Sequence, residues 1–361
     1  SGWKVARAYL RRMRLLWKFK KYDVVWVEKE LFPWLPAWFE ARWFSNNVAV
    51  VADYDDALFH RYDQHRIGLV RWLLGRKIDS VMRRADVVTA GNNYLAARAN
   101  DAGARHVEWL PTVVDLDRYT TPKPKVKKDV VVIGWIGSPA TAHYLLQLTP
   151  VLVELAKNQA IRCVAIGARS DQVKGTPFEA LPWSENEEVA ELSGLDVGIM
   201  PLLAEPWERG KCGYKLIQYM ACGLPVVASP VGVNVDIVRQ GETGELASSI
   251  ADWASSLARL VGDADLRQQM GAAGRRRVHR AVAERLQRER VSAVDRADRG
   301  RFGIGQQLQQ LVHGITGGLE HQQLAVADAQ HAVHAPQQQV GQFRAHVAEG
   351  LRRSGKHGLA A

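Results

Sequence analysis

The sequence has few of the features that mark a secreted or membrane-spanning protein. Only three cysteines occur in 361 residues, and they form neither a close metal-binding spacing nor an even-numbered disulfide framework. No apolar run is long enough to cross a bilayer, and no secretory signal is visible in the basic N-terminal stretch. These absences favour a reducing compartment, and we expect a cytoplasmic protein.

Acidic residues are outnumbered by basic ones. The 48 Lys and Arg residues exceed the 38 Asp and Glu residues, which gives a formal net charge of +10. Such a charge favours acidic partners, namely phosphates, anionic lipid or nucleic acid. Hydrophobic residues make up 47% of the chain and charged residues 24%, so disorder, collagen and coiled coil are excluded for most of it. The length suits two domains of ordinary size.

The first compositional block, residues 1–125, is basic and rich in tryptophan. Seven of the twelve tryptophans precede Arg76, and no acidic residue precedes Asp23. The apolar and basic residues before Asp23 recur at helical spacing, which predicts a helix with a cationic face. Apolar strands with helical stretches between them follow at residues 22–27, 48–53, 86–90 and 107–110. Strands that alternate with helices predict a parallel sheet.

The second block, residues 126–298, follows a connector that is rich in proline and lysine at residues 121–128. Strands and helices alternate again, beginning with the apolar residues 130–136. This repetition predicts a second doubly wound α/β unit.

The third block, residues 299–361, differs in composition from the rest of the chain. It contains eleven Gln and six of the eleven His, with no Trp or Tyr and no strong strand pattern. Such a bias predicts disorder or weak helix, and a shifted reading frame would explain the abrupt change. His331 and His334 have a metal-ligand spacing, but the His-rich composition by itself accounts for this pair.

A glycine-containing turn at residues 134–141 is the first candidate phosphate-binding feature. Gly137 lies between a predicted strand and a predicted helix, where backbone N–H groups and the helix N-terminus can face a phosphate. Ser138 and Thr141 can donate hydrogen bonds to that ligand or cap the helix. The spacing differs from G-x-G-x-x-G, so a nicotinamide-dependent enzyme is disfavoured.

The segment at residues 207–229 is the stronger feature. A helix predicted to begin near Gly213 places Lys211 and Lys215 on one face of its start, because residues four apart lie on the same side. Two cations beside the positive end of a helix favour a diphosphate. Gln218 lies about one turn further on, where it can hydrogen-bond a sugar hydroxyl. The alternative is a cationic helix face that only meets solvent.

Several segments resemble the GT-B glycosyltransferases, specifically retaining family 4. The segments that carry this resemblance are residues 218–232 and 241–247 in the second block and residues 53–57, 85–94 and 110–117 in the first. The resemblance implies an α/β fold of two Rossmann-like domains with doubly wound parallel sheets facing a cleft. It also implies transfer of a sugar from a nucleotide-diphosphate sugar to a glycan or lipid-linked acceptor, with retention of anomeric configuration.

The resemblance also implies a donor site in the second block, and we expect no metal or other cofactor there. The residues expected to bind the donor are Gly137, Ser138, Thr141, Arg169, Gly210, Gly213, Tyr214 and Gln218. Lys215 and Lys211 are expected to stabilise the leaving diphosphate, because cations aimed at the developing charge lower the barrier.

Three departures from the family pattern affect this assignment. The paired Glu residues of the family fall on Gly210 and Gln218, so the sugar contact is expected to pass to Glu208, Glu205 or backbone groups. Residues 134–143 contain no Arg or Lys beside the glycine turn. The opening strand and glycine loop of the family are expected before Ser1. The alternative function is therefore a catalytically inactive protein that binds a nucleotide sugar or another protein.

The acceptor side is expected in the first block, where acidic residues follow predicted strands. Asp53, Asp55, Asp56 and His60 follow the second strand, and Glu28 and Glu30 follow the first. Ligands bind at the carboxyl ends of strands in α/β sheets, so these residues can bind sugar hydroxyls or orient the acceptor. A helix N-cap with a solvated acidic turn is the alternative, and a metal site is a further one.

The basic, Trp-rich N-terminal stretch has two interpretations. In the first, the stretch binds peripherally to the inner face of an anionic membrane, because its cations can meet lipid headgroups while Trp and Leu enter the interface. This interpretation suits a lipid-linked acceptor. Alternatively, Trp3, Trp17 and Trp26 belong to the core and the cations form the solvated face of a packed helix. Nucleic-acid binding is disfavoured, because no recognised nucleic-acid module is present.

Overall fold

The computed structural model describes residues 2–17, 22, 24–41, 44, 48–119, 129–297 and 324–327. The chain divides into two compact units: Ser1–Pro111 together with Arg285–Ala361, and Thr112–Glu284. The division falls after Pro111, whereas the sequence placed the domain boundary after residue 125. The predicted connector at residues 121–128 lies outside the described residues. No helix among the described residues is long and apolar enough to cross a membrane.

The first unit contains a five-stranded parallel sheet with the order β11-β1-β2-β3-β4. Its strands are β1 (Val24–Glu28), β2 (Ala49–Tyr54), β3 (Val87–Ala90), β4 (Val107–Trp109) and β11 (Leu324–Ala327). Its helices are α1 (Gly2–Leu16), α2 (Ala37–Ala41), α3 (His60–Asp63), α4 (Gly68–Leu74), α5 (Lys77–Arg84) and α6 (Asn93–Asp101). The first four strands lie where the apolar runs predict them. Most residues of β1, β2 and β3 are buried because helices cover a parallel sheet on both faces, whereas the short strand β4 is partly exposed.

The expectation that the third block contains no strand does not hold for residues 324–327. These residues form β11, which pairs in parallel with β1 and sets Val24 opposite Leu324. The sequence there is Leu-Ala-Val-Ala, a short apolar stretch that the surrounding Gln and His residues conceal in a composition count. The rest of the block, including His331 and His334, lies outside the described residues.

The second unit contains a six-stranded parallel sheet with the order β10-β9-β8-β5-β6-β7. Its strands are β5 (Val131–Ile136), β6 (Ile161–Ile166), β7 (Phe178–Leu181), β8 (Val197–Met200), β9 (Val226–Ala228) and β10 (Gly244–Leu246). A 3₁₀-helix (Pro139–Leu148) precedes α7 (Thr149–Asn158), α8 (Glu188–Ser193), α9 (Pro206–Arg209), α10 (Tyr214–Ala221), α11 (Asn234–Ile237) and α12 (Ile250–Gly262). The last helix, α13 (Ala264–Ala297), belongs to this unit as far as Glu284. The second Rossmann-like sheet predicted from the sequence is therefore present.

Candidate functional site

The strand order of the second sheet reverses between β5 and β8. From β5 the chain adds β6 and β7 on one side, and it then crosses over to add β8, β9 and β10 on the other. Helices leave such a point in opposite directions, which opens a crevice outside the carboxyl ends of the two central strands. Gly137, the first residue after β5, lies at this point.

Tyr219 attaches α10 to both central strands at this crevice. Its hydroxyl accepts a hydrogen bond from the Ile136 amide (2.9 Å) and donates one to the Ile199 carbonyl (3.3 Å). The ring lies where a Cβ on Gly198 would be, 2.4 Å from Cγ, so only glycine leaves room for it. Because Tyr219 is fully buried, the helix cannot shift along the strands without breaking these contacts.

Lys215, in the first turn of α10, reaches the glycine turn after β5. Its ammonium nitrogen lies 4.5 Å from the centroid of the Trp135 ring, a cation–π contact. A Cβ placed on Gly137 would lie 2.7 Å from the same nitrogen. The structure therefore brings together two residues that the sequence assigned to the donor site, and it adds Trp135, which the sequence analysis treated only as part of a strand.

The turns after β5 and β6 touch through their backbones. The Gly137 amide donates to the Ile166 carbonyl (3.0 Å), and a Cβ on Gly167 would lie 2.2 Å from the Gly137 carbonyl oxygen. Gly167 also has a φ of +86°, a left-handed conformation that side chains disfavour. The contact leaves no side chain between the two turns, so their peptide groups line this part of the crevice.

The other predicted residues of the two turns make local contacts. Thr141 Oγ1 donates to the Ser138 carbonyl (3.0 Å) in the first turn of the 3₁₀-helix, and the Ser138 side chain makes no capping bond. The exposed Arg169 pairs with Asp171 through two hydrogen bonds of 3.0 and 3.1 Å. In this structure these side chains bind neighbouring parts of their own loops.

The start of α10 differs from the sequence expectation in one respect. Gly213 precedes the helix with a φ of +69°, and a Cβ there would lie 2.2 Å from Ile237 Cδ1. Lys211 therefore lies outside the helix, in the turn that joins α9 to α10, and helical spacing does not relate it to Lys215. The prediction that both lysines share one helix face is wrong, because the left-handed glycine interrupts the periodicity. Gly210 belongs to the same turn and follows α9.

Glu208 is buried rather than presented to the crevice. Only 6% of the residue is exposed, and its Oε1 accepts a hydrogen bond from the Tyr144 hydroxyl. Its Oε2 is buried without a hydrogen-bond partner. The contact joins α9 to the 3₁₀-helix that follows the glycine turn. In this structure Glu208 is thus placed to position that turn.

Gln218 is also buried and lies in a hydrogen-bond network. It is 1% exposed, and its Nε2 donates to the Tyr119 hydroxyl (2.9 Å), which donates to Glu188 Oε1 (2.8 Å). Trp183 Nε1 donates to the other Glu188 oxygen (2.9 Å). The amide that was expected to meet a sugar hydroxyl is therefore held in a buried network. Tyr214 lies beside this network, and burial raises its pKa to about 12.

The sequence analysis missed Tyr119 and Glu188. One signal was present in the sequence: Glu188 lies four residues before Leu192 and seven before Leu195, a spacing that puts its side chain on the apolar face of α8. A carboxylate on such a face requires hydrogen-bonding partners, which Tyr119 and Trp183 provide.

In the first unit, three of the predicted acceptor-side acids surround a lysine. Lys29 Nζ lies 2.9 Å from Asp55, 3.9 Å from Asp56 and 3.8 Å from Glu28. Burial disfavours the ammonium, but the three acids outweigh this effect and raise the pKa of Lys29 above its ordinary value. Lys29 also has a φ of +66° directly after β1. Lys29 was not among the residues predicted from the sequence, because no motif or spacing around it indicated a site.

Asp53 and His60 have other partners. The Asp53 carboxylate accepts a hydrogen bond from Thr89 Oγ1 (2.5 Å), and burial raises the pKa of Asp53 to about 6. His60 Nδ1 lies 2.8 Å from Asp63 Oδ1, and its Nε2 lies 2.8 Å from the Tyr94 hydroxyl. Among the described residues, the predicted acceptor-side set is thus divided between a lysine-centred cluster, a strand carboxyl group and a His–Asp pair.

The two units each contain a parallel α/β sheet, and the solved structures that the chain is similar to are GT-B glycosyltransferases. The structure is similar to sucrose-phosphate synthase from Thermosynechococcus elongatus, with a TM-score of 0.57 and 18% identity over 79% of each chain. It is also similar to Anabaena HepE in complex with UDP-glucose, with a TM-score of 0.58 and 15% identity over 76% of this chain and 81% of that one. The predicted GT-B fold is confirmed.

Residues 127–263 match the family described as Glycosyl transferases group 1, and they form a domain of that family. The capsular polysaccharide biosynthesis glycosyltransferase CapM of Staphylococcus aureus is 24% identical over 181 residues, 47% of each chain. The D-inositol 3-phosphate glycosyltransferase of Nocardia farcinica is 40% identical over 72 residues, 19% of this chain and 16% of that one. The matches thus span less than half of each relative.

Proposed function

We propose that this protein transfers a sugar from a nucleotide-diphosphate sugar to a glycan or lipid-linked acceptor. The observation that carries the proposal is the position of Lys215, whose ammonium lies beside the Gly137 turn where the strand order reverses. The names of CapM and of the HepE complex with UDP-glucose support a glycosyl transfer with a UDP-hexose as one donor to test.

The proposed chemistry places negative charge where the site is positive. When the bond between the anomeric carbon and the diphosphate oxygen breaks, charge grows on the leaving phosphate. Lys215 and the start of α10 stabilise that charge, and a single preorganised donor of this kind contributes about 3 kcal/mol to the transition state. Neutralisation by a lysine requires no metal, so we include metal independence in the proposal.

The proposed stereochemistry is retention. The acceptor hydroxyl attacks from the face that the diphosphate leaves, and an oxygen of the departing diphosphate takes the proton of that hydroxyl. The bond to the acceptor oxygen forms as the bond to the phosphate oxygen breaks, so no separate base is required. Lys215 is the catalytic group of this proposal, whereas Glu208 acts by holding the 3₁₀-helix through Tyr144.

The acceptor is proposed to bind in the first unit, at the carboxyl ends of β1 and β2. Glu28, Asp55 and Asp56 converge there on Lys29 and offer both carboxylate acceptors and an ammonium donor to sugar hydroxyls. Membrane association through α1 belongs to the same proposal. Arg7, Arg11 and Arg14 are exposed on that helix together with Trp3.

Donor binding and release of the nucleotide test the proposal. We expect UDP or GDP to raise the melting temperature, since a ligand that binds only the folded state stabilises it, and we expect a cognate sugar nucleotide to release its diphosphate slowly. A protein that only binds would shift its melting temperature without releasing nucleotide. Absence of both effects with UDP, GDP and their sugar conjugates would overturn the proposal. The exposed Lys174→Ala variant is the matched control for Lys215→Ala.

A further inference from the structure

Exposed tryptophan is confined to the first unit among the described residues. Trp3, Trp17, Trp34, Trp38, Trp72 and Trp109 have exposed fractions between 49% and 82%, whereas the four tryptophans of the second unit are buried or half-buried. Of the N-terminal tryptophans that the sequence left undecided, Trp26 is in the core and Trp3 and Trp17 are not. Single exposed apolar residues are common on protein surfaces, but exposed indole rings in such number require an explanation.

Contacts connect most of these tryptophans into one surface. The Tyr9 hydroxyl of α1 donates to the Pro33 carbonyl, and the next residue, Trp34, stacks edge-on against His65 with 5.6 Å between the ring centroids. The Ile67 amide donates to His65 Nδ1 (3.2 Å), and α4 begins at the residue after Ile67. We use the name tryptophan surface for α1, residues 33–38 and residues 65–74.

Helix α4 has an unusual distribution of apolar residues. Of its seven residues only Leu74 is buried. Leu69, Trp72 and Leu73 are 68%, 82% and 52% exposed, and Ile67 just before the helix is 50% exposed. A helix of a soluble protein normally turns its apolar side to the core. Here three of the five apolar residues of α4, namely Leu69, Trp72 and Leu73, face outward.

The tryptophan surface is also cationic. Residues 2–17 and 64–76 contain no Asp or Glu, and their exposed basic residues are Lys4, Arg7, Arg11, Arg14, Arg66, Arg71 and Arg76. The carboxylates of Glu30 and Glu40 are buried against Lys77, whereas Asp63, Asp79 and Asp101 line one pocket with Arg71 and Arg76 and offset part of the charge at that end. Positive charge thus surrounds exposed Trp and Leu side chains.

We propose that α4 and Trp34 dock into the interface of an anionic lipid bilayer, alongside α1. Indole rings favour the headgroup level, leucines enter the acyl boundary, and arginines bind lipid phosphates. A second copy of the chain would bring two like-charged surfaces together. A nucleic acid would be attracted by the arginines but would leave Leu69 and Leu73 in water.

This inference deepens the membrane association of the proposed function and names a second docking element, 60 residues along the chain from the first. It uses no residue of the donor site, so it can fail while glycosyl transfer stands, and the reverse also holds.

Co-sedimentation with vesicles tests the proposal on the whole chain. We expect binding to vesicles of equal phosphatidylcholine and phosphatidylglycerol, little binding to pure phosphatidylcholine, and a loss of binding at high salt. The double variant Leu69→Ala, Trp72→Ala is expected to partition about tenfold less. Trp109→Ala removes an exposed tryptophan outside the tryptophan surface and is expected to bind as the wild type does.

Two further measurements keep the test decisive. All substituted residues are exposed, so the variants should retain the wild-type melting temperature and any shift caused by UDP. Equal binding of the double variant and the wild type to anionic vesicles would overturn the proposal, as would absence of binding by the wild type. A lipid-free dimer, detected by light scattering and lost in the double variant, would identify a second copy as the occupant and would also overturn it.

Discussion

The ammonium of Lys215 lies over the ring of Trp135, with 4.5 Å between the nitrogen and the ring centroid. Trp135 is fully buried in β5 and its ring cannot turn away. A lysine on the first turn of a helix is ordinarily mobile, because its four-carbon stem has many rotamers. The contact restricts that freedom and holds the charge at the glycine turn before any ligand is present.

Removal of this charge should reduce the proposed transfer more than removal of its neighbour. We expect Lys215→Ala to lower turnover about 100-fold, and Lys211→Ala to lower it less, because Lys215 is ordered by Trp135 and lies inside the helix. Single-turnover release of nucleotide measures this difference. Near-wild-type rates in both variants would mean that the phosphate site lies elsewhere.

The role of Trp135 can be separated from its packing. We expect Trp135→Leu to weaken UDP binding about 2- to 30-fold, since a cation–π contact contributes about 0.5–2 kcal/mol. Trp135→Phe keeps an aromatic face and should retain most of the affinity at a comparable loss of stability. Titration calorimetry with UDP, read beside the melting temperature of each variant, makes the comparison. Equal affinities for Leu and Phe would show that the ring does not position Lys215.

Gly137 should not tolerate a side chain. In Gly137→Ala the new Cβ would lie 2.4 Å from the Trp135 ring and 2.7 Å from Lys215 Nζ, so both must move. We expect a loss of about 1–3 kcal/mol in the free energy of unfolding, together with weaker UDP binding. Gly262→Ala is the control, because the nearest atom to its Cβ is at an ordinary 3.5 Å. Urea unfolding that is unchanged in Gly137→Ala would contradict the packing of this turn.

Gln218 is expected to act through stability. Gln218→Ala leaves the Tyr119 hydroxyl with one partner fewer in a buried network, so the free energy of unfolding should fall by about 1–3 kcal/mol. Gln269→Ala changes an exposed glutamine of α13 and should have no measurable effect. A variant that keeps wild-type stability but loses donor affinity would instead restore the sugar-binding role expected from the sequence.

Asp53 should make stability fall as pH rises through the weakly acidic range. Its pKa is raised to about 6 in the folded protein from an ordinary value of 3.8, so between these values the folded state holds more protons than the unfolded state. The stability that the protonated carboxyl contributes is therefore present at low pH and lost by about pH 6.

The variant Asp53→Asn tests this expectation. It should remove the pH dependence and become more stable than the wild type by up to about 3 kcal/mol above pH 6, because a neutral amide can still accept from Thr89. Urea unfolding between pH 4 and about pH 7 measures the difference. Asp101→Asn, at an exposed position, is the control. A constant difference between Asp53→Asn and the wild type over this range would contradict the raised pKa.

The alternation of apolar strands and helices in the sequence was sufficient to predict four strands of each sheet, and it did not predict β7, β10 or β11. The predicted strands include buried apolar runs such as residues 24–27, and the length of such a run can be read from consecutive residues in the sequence. The start of α10 was predicted for the same reason, since Gly213 and Lys215 lie within one turn of each other. Lys211 was misplaced, because a single left-handed residue changes the direction of the chain and leaves no trace in a hydrophobic pattern.

Contacts between distant residues required the tertiary structure. Trp135 and Lys215 are 80 positions apart, and they meet because β5 lies next to β8 and Tyr219 attaches α10 to both. Gln218 and Glu188 are also distant in the sequence, and the structure links them because both hydrogen-bond to the Tyr119 hydroxyl. Residue type and spacing thus determined the class of fold, since the hydrophobic pattern of each strand or helix shows which of its residues are buried. The partners of each polar side chain were decided only by the topology, because burial enforces hydrogen bonding without specifying in the sequence which group will supply it.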